Sequence, residues 1–230
     1  AEPDGQGNNV PLQGVIIEVV GDEERTRTTT GADGTFRLEP VPAGRFFVNI
    51  DGRLITGTYP DGDYYPFIGK TWEAVAGNPE NLANDNGEIY LPLVVNGTLQ
   101  EVSQVQETTI EFPEGTLSEN PELAGTEVNV PANSLFSNDG TRGGRMGIAP
   151  VPSDRLPEPL PSELNLPMVI TIQTDGPTNF DVPVPVRFPN LPDPDTGEIL
   201  PPGSASALWS FDHDTGEWEI AGPMTVTADG

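Results

Sequence analysis

Cysteine is absent from the 230 residues, which excludes both a disulfide framework and a thiolate metal centre. Lysine occurs once, as Lys70, and histidine once, as His213 in the turn-like sequence WSFDHDTGEW. A hydrolytic nucleophile needs a base beside it, and a single histidine in a turn leaves little to build one from. No G-x-S-x-G elbow, Walker loop, H-E-x-x-H helix or dinucleotide-binding glycine pattern is present, so the chain reads as non-enzymatic. Positive charge is scarce too: 10 basic residues stand against 36 acidic ones, a formal net charge of -26. Such a surface repels nucleic acid and anionic membrane, and neither is expected as a partner. No apolar run approaches the roughly 18 residues of a membrane span, so direct membrane insertion is not expected. The opening AEPDGQGNN lacks a basic, apolar signal and reads as a polar N-terminal linker over residues 1–9.

What is present is punctuation. Twenty-six glycines and 26 prolines interrupt every stretch that could have become a long helix, while the 35% hydrophobic residues gather in short β-branched runs. The fold class expected is all-β, with helix limited to about one turn near 153–165. The length suits two modules better than one core. Acidic residues are spread along the chain, a pattern of proteins kept soluble in salty water or among divalent cations, and equally of an ordinary acidic secreted protein.

A first module is read over residues 10–95, where apolar runs alternate with turn residues; strands are expected near 13–20, 24–30, 34–39, 44–50, 71–76 and 87–95. Asp33-Gly34 reads as a hairpin turn, and Pro42-Ala43-Gly44 as the next connection. A polar stretch, 96–106, reads as a linker, and a second module as 107–230. In the second, Val182, Val184, Val186 and Phe188 alternate with Pro183 and Pro185, which predicts an edge strand because proline cannot donate to a ladder.

The order G-V-I-I-E-V, T-R-T-T-T-G-A-D-G-T-F-R-L, V-P-A-G-R-F-F-V-N-I resembles the carboxypeptidase regulatory-like module, whose fold is a transthyretin-like β-sandwich. The insert ITGTYPDGDYYPFIGK is longer and more aromatic than such modules need. In the second half, V-N-V-P-A-N-S-L and I-T-I-Q-T-D-G-P-T-N-F-D-V-P-V-P-V resemble the β-sandwich of ankyrins and netrin receptors. The pairing is similar to segments of large secreted bacterial surface proteins with teneurin-like repeats. These resemblances imply two tandem β-sandwich modules acting as a spacer or adhesion segment. Some relatives of the second module cleave themselves at His-Phe-Ser, a tripeptide this chain lacks.

Three constellations could carry chemistry. D-x-D-T-G-E occurs at 193–198 and 212–217, placing Asp193 with Asp195 and Asp212 with Asp214. Hard oxygens one residue apart suit calcium, although both copies lack the spacing of the helical calcium loop. The same letters also spell a strand-connecting turn in which aspartate accepts backbone amides and glycine takes positive φ. Asp61 and Asp63 form a third carboxylate pair, set among Tyr59, Tyr64, Tyr65, Phe67 and Trp72. Aromatic faces beside carboxylates suit a sugar, making Tyr59, Tyr64, Tyr65 and Trp72 candidate ligand residues; packing over the end of the first sandwich is the competing reading.

The reading of the whole is a non-catalytic structural or adhesive segment of a larger secreted polypeptide, located outside the cell or on its surface. Its expected partners are the rest of that polypeptide and a surface glycan or protein, with calcium as the one cofactor considered. Two alternatives stand beside it: a glycan-binding module using the insert 59–72, and an accessory fragment of a secreted hydrolase.

Overall fold

Alternation of apolar and polar residues sets the first sheet. A computed structural model describes residues 2–3, 9–55, 61–81, 87–152, 155–156, 160–162, 164–175, 177–212 and 215–228. The chain is all-β: among the described residues, helix is confined to α1 (Glu114–Glu119), a 3-10 turn at Pro121–Leu123 and the 3-10 residue Arg155. Contacts divide the molecule into two units, one of Ala1–Val94, Asp154–Leu164 and Ala207–Met224, the other of Val95–Ser153, Asn165–Ser206 and Thr225–Gly230.

In the first unit, β1 (Glu2–Pro3) pairs with β2 (Asn9–Val10). The strands β3 (Ile16–Val19), β4 (Arg27–Thr29), β5 (Gly44–Asp51) and β6 (Phe67–Ala74) form an antiparallel sheet in the order β4-β3-β5-β6. The register sets Ile17 opposite Ile50, Val19 opposite Val48 and Phe46 opposite Trp72 on one face, which is buried. Lys70, the sole lysine, is on this face opposite Val48 and is itself buried. On the other face a Cβ at Gly69 would fall 2.5 Å from ring atoms of Phe47, so glycine is what lets that ring lie across the strand. Two buried threonines tie loops to the sheet. Thr26 donates its hydroxyl to the Asp22 carboxylate (2.8 Å) and the Pro40 carbonyl (2.9 Å), and Thr30 donates to the Leu12 carbonyl (2.5 Å) while accepting from the Val15 amide (3.0 Å).

Two expected strands of this unit do not form ladders among the described residues. Residues 34–39 keep the inside-outside alternation, with Phe36 and Leu38 against the core, but enter no sheet. Pro40 and Pro42, which have no amide to donate, follow at once. Residues 87–95 make one bridge, Val94 with Tyr64, and Pro92 interrupts the rest.

The second unit holds β7 (Gln100–Val102), β8 (Thr108–Glu111), β9 (Glu127–Val130), β10 (Leu135–Phe136), β11 (Gly144–Pro150), β12 (Ile170–Asp175), β13 (Asn179–Phe180) and β14 (Val186–Arg187). They assemble as β12-β11-β7, β14-β9-β8 and the pair β10-β13. Val102, Met146 and Ile148 from the first of these sheets share one core cluster with Ile110, Val128 and Val130 from the second. β7 falls within the polar stretch 96–106. β14 is an edge strand and far shorter than the 182–188 alternation, in keeping with Pro183 and Pro185. Arg155 is in 3-10 conformation within the stretch 153–165 where a turn was expected, and a further helical turn forms at α1, ahead of which Pro113 supplies a fixed φ and where Glu114 lies in the positively polarised first turn; α1 buries no residue.

A long hairpin, β15 (Ala205–Asp212) and β16 (Glu217–Thr225), forms a two-stranded sheet closed by the second D-x-D-T-G-E turn. Phe211 and Trp218 meet edge to face at its closed end, 5.5 Å between ring centroids.

Candidate functional site

The first aspartate of each paired-aspartate turn uses its carboxylate on the turn's own backbone. Asp193 Oδ1 accepts from the Asp195 amide (3.0 Å), the Thr196 amide (2.8 Å) and the Thr196 hydroxyl (3.0 Å). The Gly197 amide donates to the Asp193 carbonyl at 2.8 Å, with Gly197 at φ +73°, a conformation glycine takes without penalty. The Thr196 amide, then its hydroxyl, holds the Asp193 carboxyl below the usual aspartate range. Asp195 points elsewhere and accepts from Asn165 Nδ2 at 3.1 Å. The second copy repeats the design: the Thr215 amide donates to Asp212 Oδ1 (3.2 Å), the Gly216 amide to the Asp212 carbonyl (2.7 Å), and Gly216 has φ +72°. Asp214 and His213 lie outside the described residues. Among the described residues no group of three or more Asp, Glu or His gathers to hold a metal ion.

Sequence reasoning marked Asp33-Gly34 as a turn but not its recurrence, as a shorter version of the same device, in Asp-Gly-Thr at 33–35 and 139–141. Asp33 accepts from the Thr35 amide (3.1 Å) and hydroxyl (2.8 Å), and Asp139 from the Thr141 amide (2.9 Å). Gly34 and Gly140 sit at φ +74° and +85° in closely matching turns, where the amides of Gly31 and Ser137 reach the carbonyls of Thr35 and Thr141. The Thr35 hydroxyl and amide lower the Asp33 carboxyl, and the Thr141 amide and hydroxyl lower that of Asp139. Recurrence of the letters D-G-T in two turns was a readable signal.

The aromatic insert divides. Tyr65 and Trp72 are core residues, 5% and 7% exposed, leaving no ring face for a sugar. Trp72 Nε1 is buried with no hydrogen-bond partner among the described residues. Tyr64 is half-buried and exchanges backbone hydrogen bonds with Val94 (3.0 and 2.9 Å). Asp61 is exposed and Asp63 half-buried, and Tyr59 lies outside the described residues. Phe67, exposed, is covered by the guanidinium of Arg53 at 4.9 Å, and that guanidinium also holds the Asp51 carboxylate at 2.9 Å. Its hydrogen bond is the main cause of the lowered Asp51 carboxyl.

The concavity of the first unit lies elsewhere. A cavity of about 920 Å³ opens between the apolar face of the four-stranded sheet and the chain segments 33–43, 74–81 and 87–91. Leu12, Val15, Ile17, Phe46 and Ile50 floor it, and Phe36, Leu38 and Val41 wall it. Its lining mixes apolar residues with polar and charged ones, among them Asn9, Thr30, Asp33, Arg37, Glu80 and Glu88. Nothing in the sequence pointed to it, because 34–39 reads as a strand that closes this space.

Comparison with family models, with curated proteins and with solved structures finds no match for this chain.

Proposed function

We propose that the chain is a non-catalytic structural or adhesive segment of a large secreted bacterial surface protein, a rigid acidic spacer or docking region made of two tandem β-sandwich modules, the first transthyretin-like. The observation that carries this reading is the fate of the chemically capable side chains. Asp193 Oδ1 accepts three hydrogen bonds from its own turn, and Tyr65 and Trp72 are packed in the core. Groups committed in this way serve the scaffold. The net charge of -26 supports a well-solvated exterior segment, and the glycine- and proline-rich connections support short, stiff joints between strands.

The test is a panel of ester, glycoside and peptide substrates offered to the full chain beside a His213→Ala variant. No turnover above the rate without protein is expected. Turnover that disappears with His213→Ala would overturn the reading and move the chain to the hydrolases.

A further inference from the structure

We propose that the cavity of the first unit is a docking cleft for an extended segment of a partner protein, added as a strand beside residues 35–39, with apolar side chains turned into the cleft and basic side chains turned out. The inference stands apart from the spacer reading, since it rests on the cleft alone.

Residues 35–39, Thr-Phe-Arg-Leu-Glu, have every feature of a strand except a ladder partner among the described residues. Phe36 and Leu38 are half-buried against the core while Thr35, Arg37 and Glu39 are exposed, the period of two that a pleated strand imposes. The Thr35 carbonyl accepts from the Gly31 amide, and there the pairing stops. From Phe36 to Glu39 no backbone amide or carbonyl has a hydrogen-bond partner among the described residues. This row of unpaired groups lines the cavity along its length. An unpaired strand edge is a template for another strand: main-chain hydrogen bonds supply affinity, and pockets for alternate side chains supply specificity.

The cleft also selects what enters. The half-buried Phe36, Leu38 and Val41 of its wall call for an apolar residue at every second position of the incoming strand, and about five residues of ladder, roughly 17 Å, match the length of the edge. The lining carries four carboxylates, Asp33, Glu39, Glu80 and Glu88, against one guanidinium, Arg37, which is already 2.8 Å from Glu39. The outward positions therefore favour lysine or arginine, and the charge of the whole chain steers such a segment inward. A small apolar ligand would fill the floor but leave the edge unpaired. A second copy, with its own 36 acidic residues, would be repelled.

The probe is a capped, fluorescent heptapeptide of alternating lysine and valine, titrated into the full chain by anisotropy while amide exchange is followed residue by residue. Three comparisons accompany it: the same peptide with glutamate for lysine, the same peptide N-methylated at alternate residues to remove one ladder edge, and a Glu80→Gln/Glu88→Gln variant of the chain. The lysine peptide should bind about tenfold or more tightly than either altered peptide, the size of effect expected when a set of charge-assisted or ladder bonds is lost. Exchange at residues 36–39 should slow on binding, and the rim variant should bind more weakly while melting as the parent does. The N-methylated peptide carries the same charge, so equal binding by it would reduce the effect to bulk electrostatics and overturn the proposal. Protection at another strand edge, occupancy by a fatty acid without protection of 36–39, or self-association of the chain that excludes the peptide would overturn it as well.

Discussion

Replacing Gly147 with alanine should unfold the second unit more readily than any other Gly→Ala change in a strand of that unit. Gly147 lies within β11, opposite Gln173 of β12, and a Cβ built there would stand 2.1 Å from the Thr98 carbonyl oxygen, 2.6 Å from its carbon and 2.8 Å from its methyl. Ordinary contact begins near 3.4 Å, so the two backbones must part by about 1 Å. Thr98 has little room to yield: it is 1% exposed and its amide is tied to the Val95 carbonyl at 3.1 Å. Overpacking costs about 1–3 kcal/mol when side chains can adjust, and a clash with main chain belongs at or above the upper end. The roughly 0.5–1 kcal/mol that alanine gains over glycine through a less flexible unfolded chain is too small to offset it. A cost of about 3 kcal/mol lowers the midpoint by at least about 6 °C in a thermal melt followed by circular dichroism. All three tryptophans are assigned to the first unit, which makes their fluorescence an internal reference for the unit left unchanged. Gly222→Ala, with no atom within 4 Å of the new methyl, is the control and should be neutral or slightly stabilising. If Gly147→Ala melts with the parent, the close approach of β11 and Thr98 is wrong.

Acid should weaken the fold through its turn aspartates. Asp33, Asp139 and Asp193 have folded values below their unfolded value of about 4, so their contribution is complete above that value and is lost as pH falls through the folded ones. An Asp33→Asn/Asp139→Asn/Asp193→Asn variant should show a shallower loss of midpoint below about pH 4, and an unchanged acid limb would refute the linkage. Calcium and sodium chloride at matched ionic strength should stabilise the chain equally, by screening its negative charge; an added calcium effect that vanishes with Asp193→Asn/Asp195→Asn or Asp212→Asn/Asp214→Asn would show that the turns hold a cation. With Trp209 and Trp218 replaced by phenylalanine, Trp72 emission should resist acrylamide. Strong quenching, altered by oligosaccharides, would favour the glycan-binding reading.

The all-β class was legible because its signals are local. Short apolar runs marked β3 and β5, and Asp-Gly and Pro-Ala-Gly marked the connections at 33–34 and 42–44, where Gly34 and Gly44 do adopt positive φ. The ladders themselves were less legible. Residues 34–39 and 87–95 have strand patterns, yet a pattern fixes only which side chains face inward, and a ladder also needs a neighbour at the right distance, which a segment's own letters do not encode.

The site followed the same division between local and distant causes. D-x-D-T-G-E reads alike as a cation loop and as a turn, because both want a carboxylate before a glycine. What favours the turn is the direction of the Asp195 amide and of the Thr196 amide and hydroxyl, all turned onto Asp193 Oδ1, so that this oxygen already serves its own backbone. The aromatic insert was ambiguous for the converse reason. Tyr65 and Trp72 carry the composition of a sugar platform, but Trp72 is opposite Phe46 on the inward face of β6, and in a pleated strand one residue of register decides between a ring offered to solvent and a ring in the core. By the same logic the cleft beside 35–39 was invisible. It exists where two strand-like segments enter no ladder among the described residues, and only the assembled unit shows the space between them.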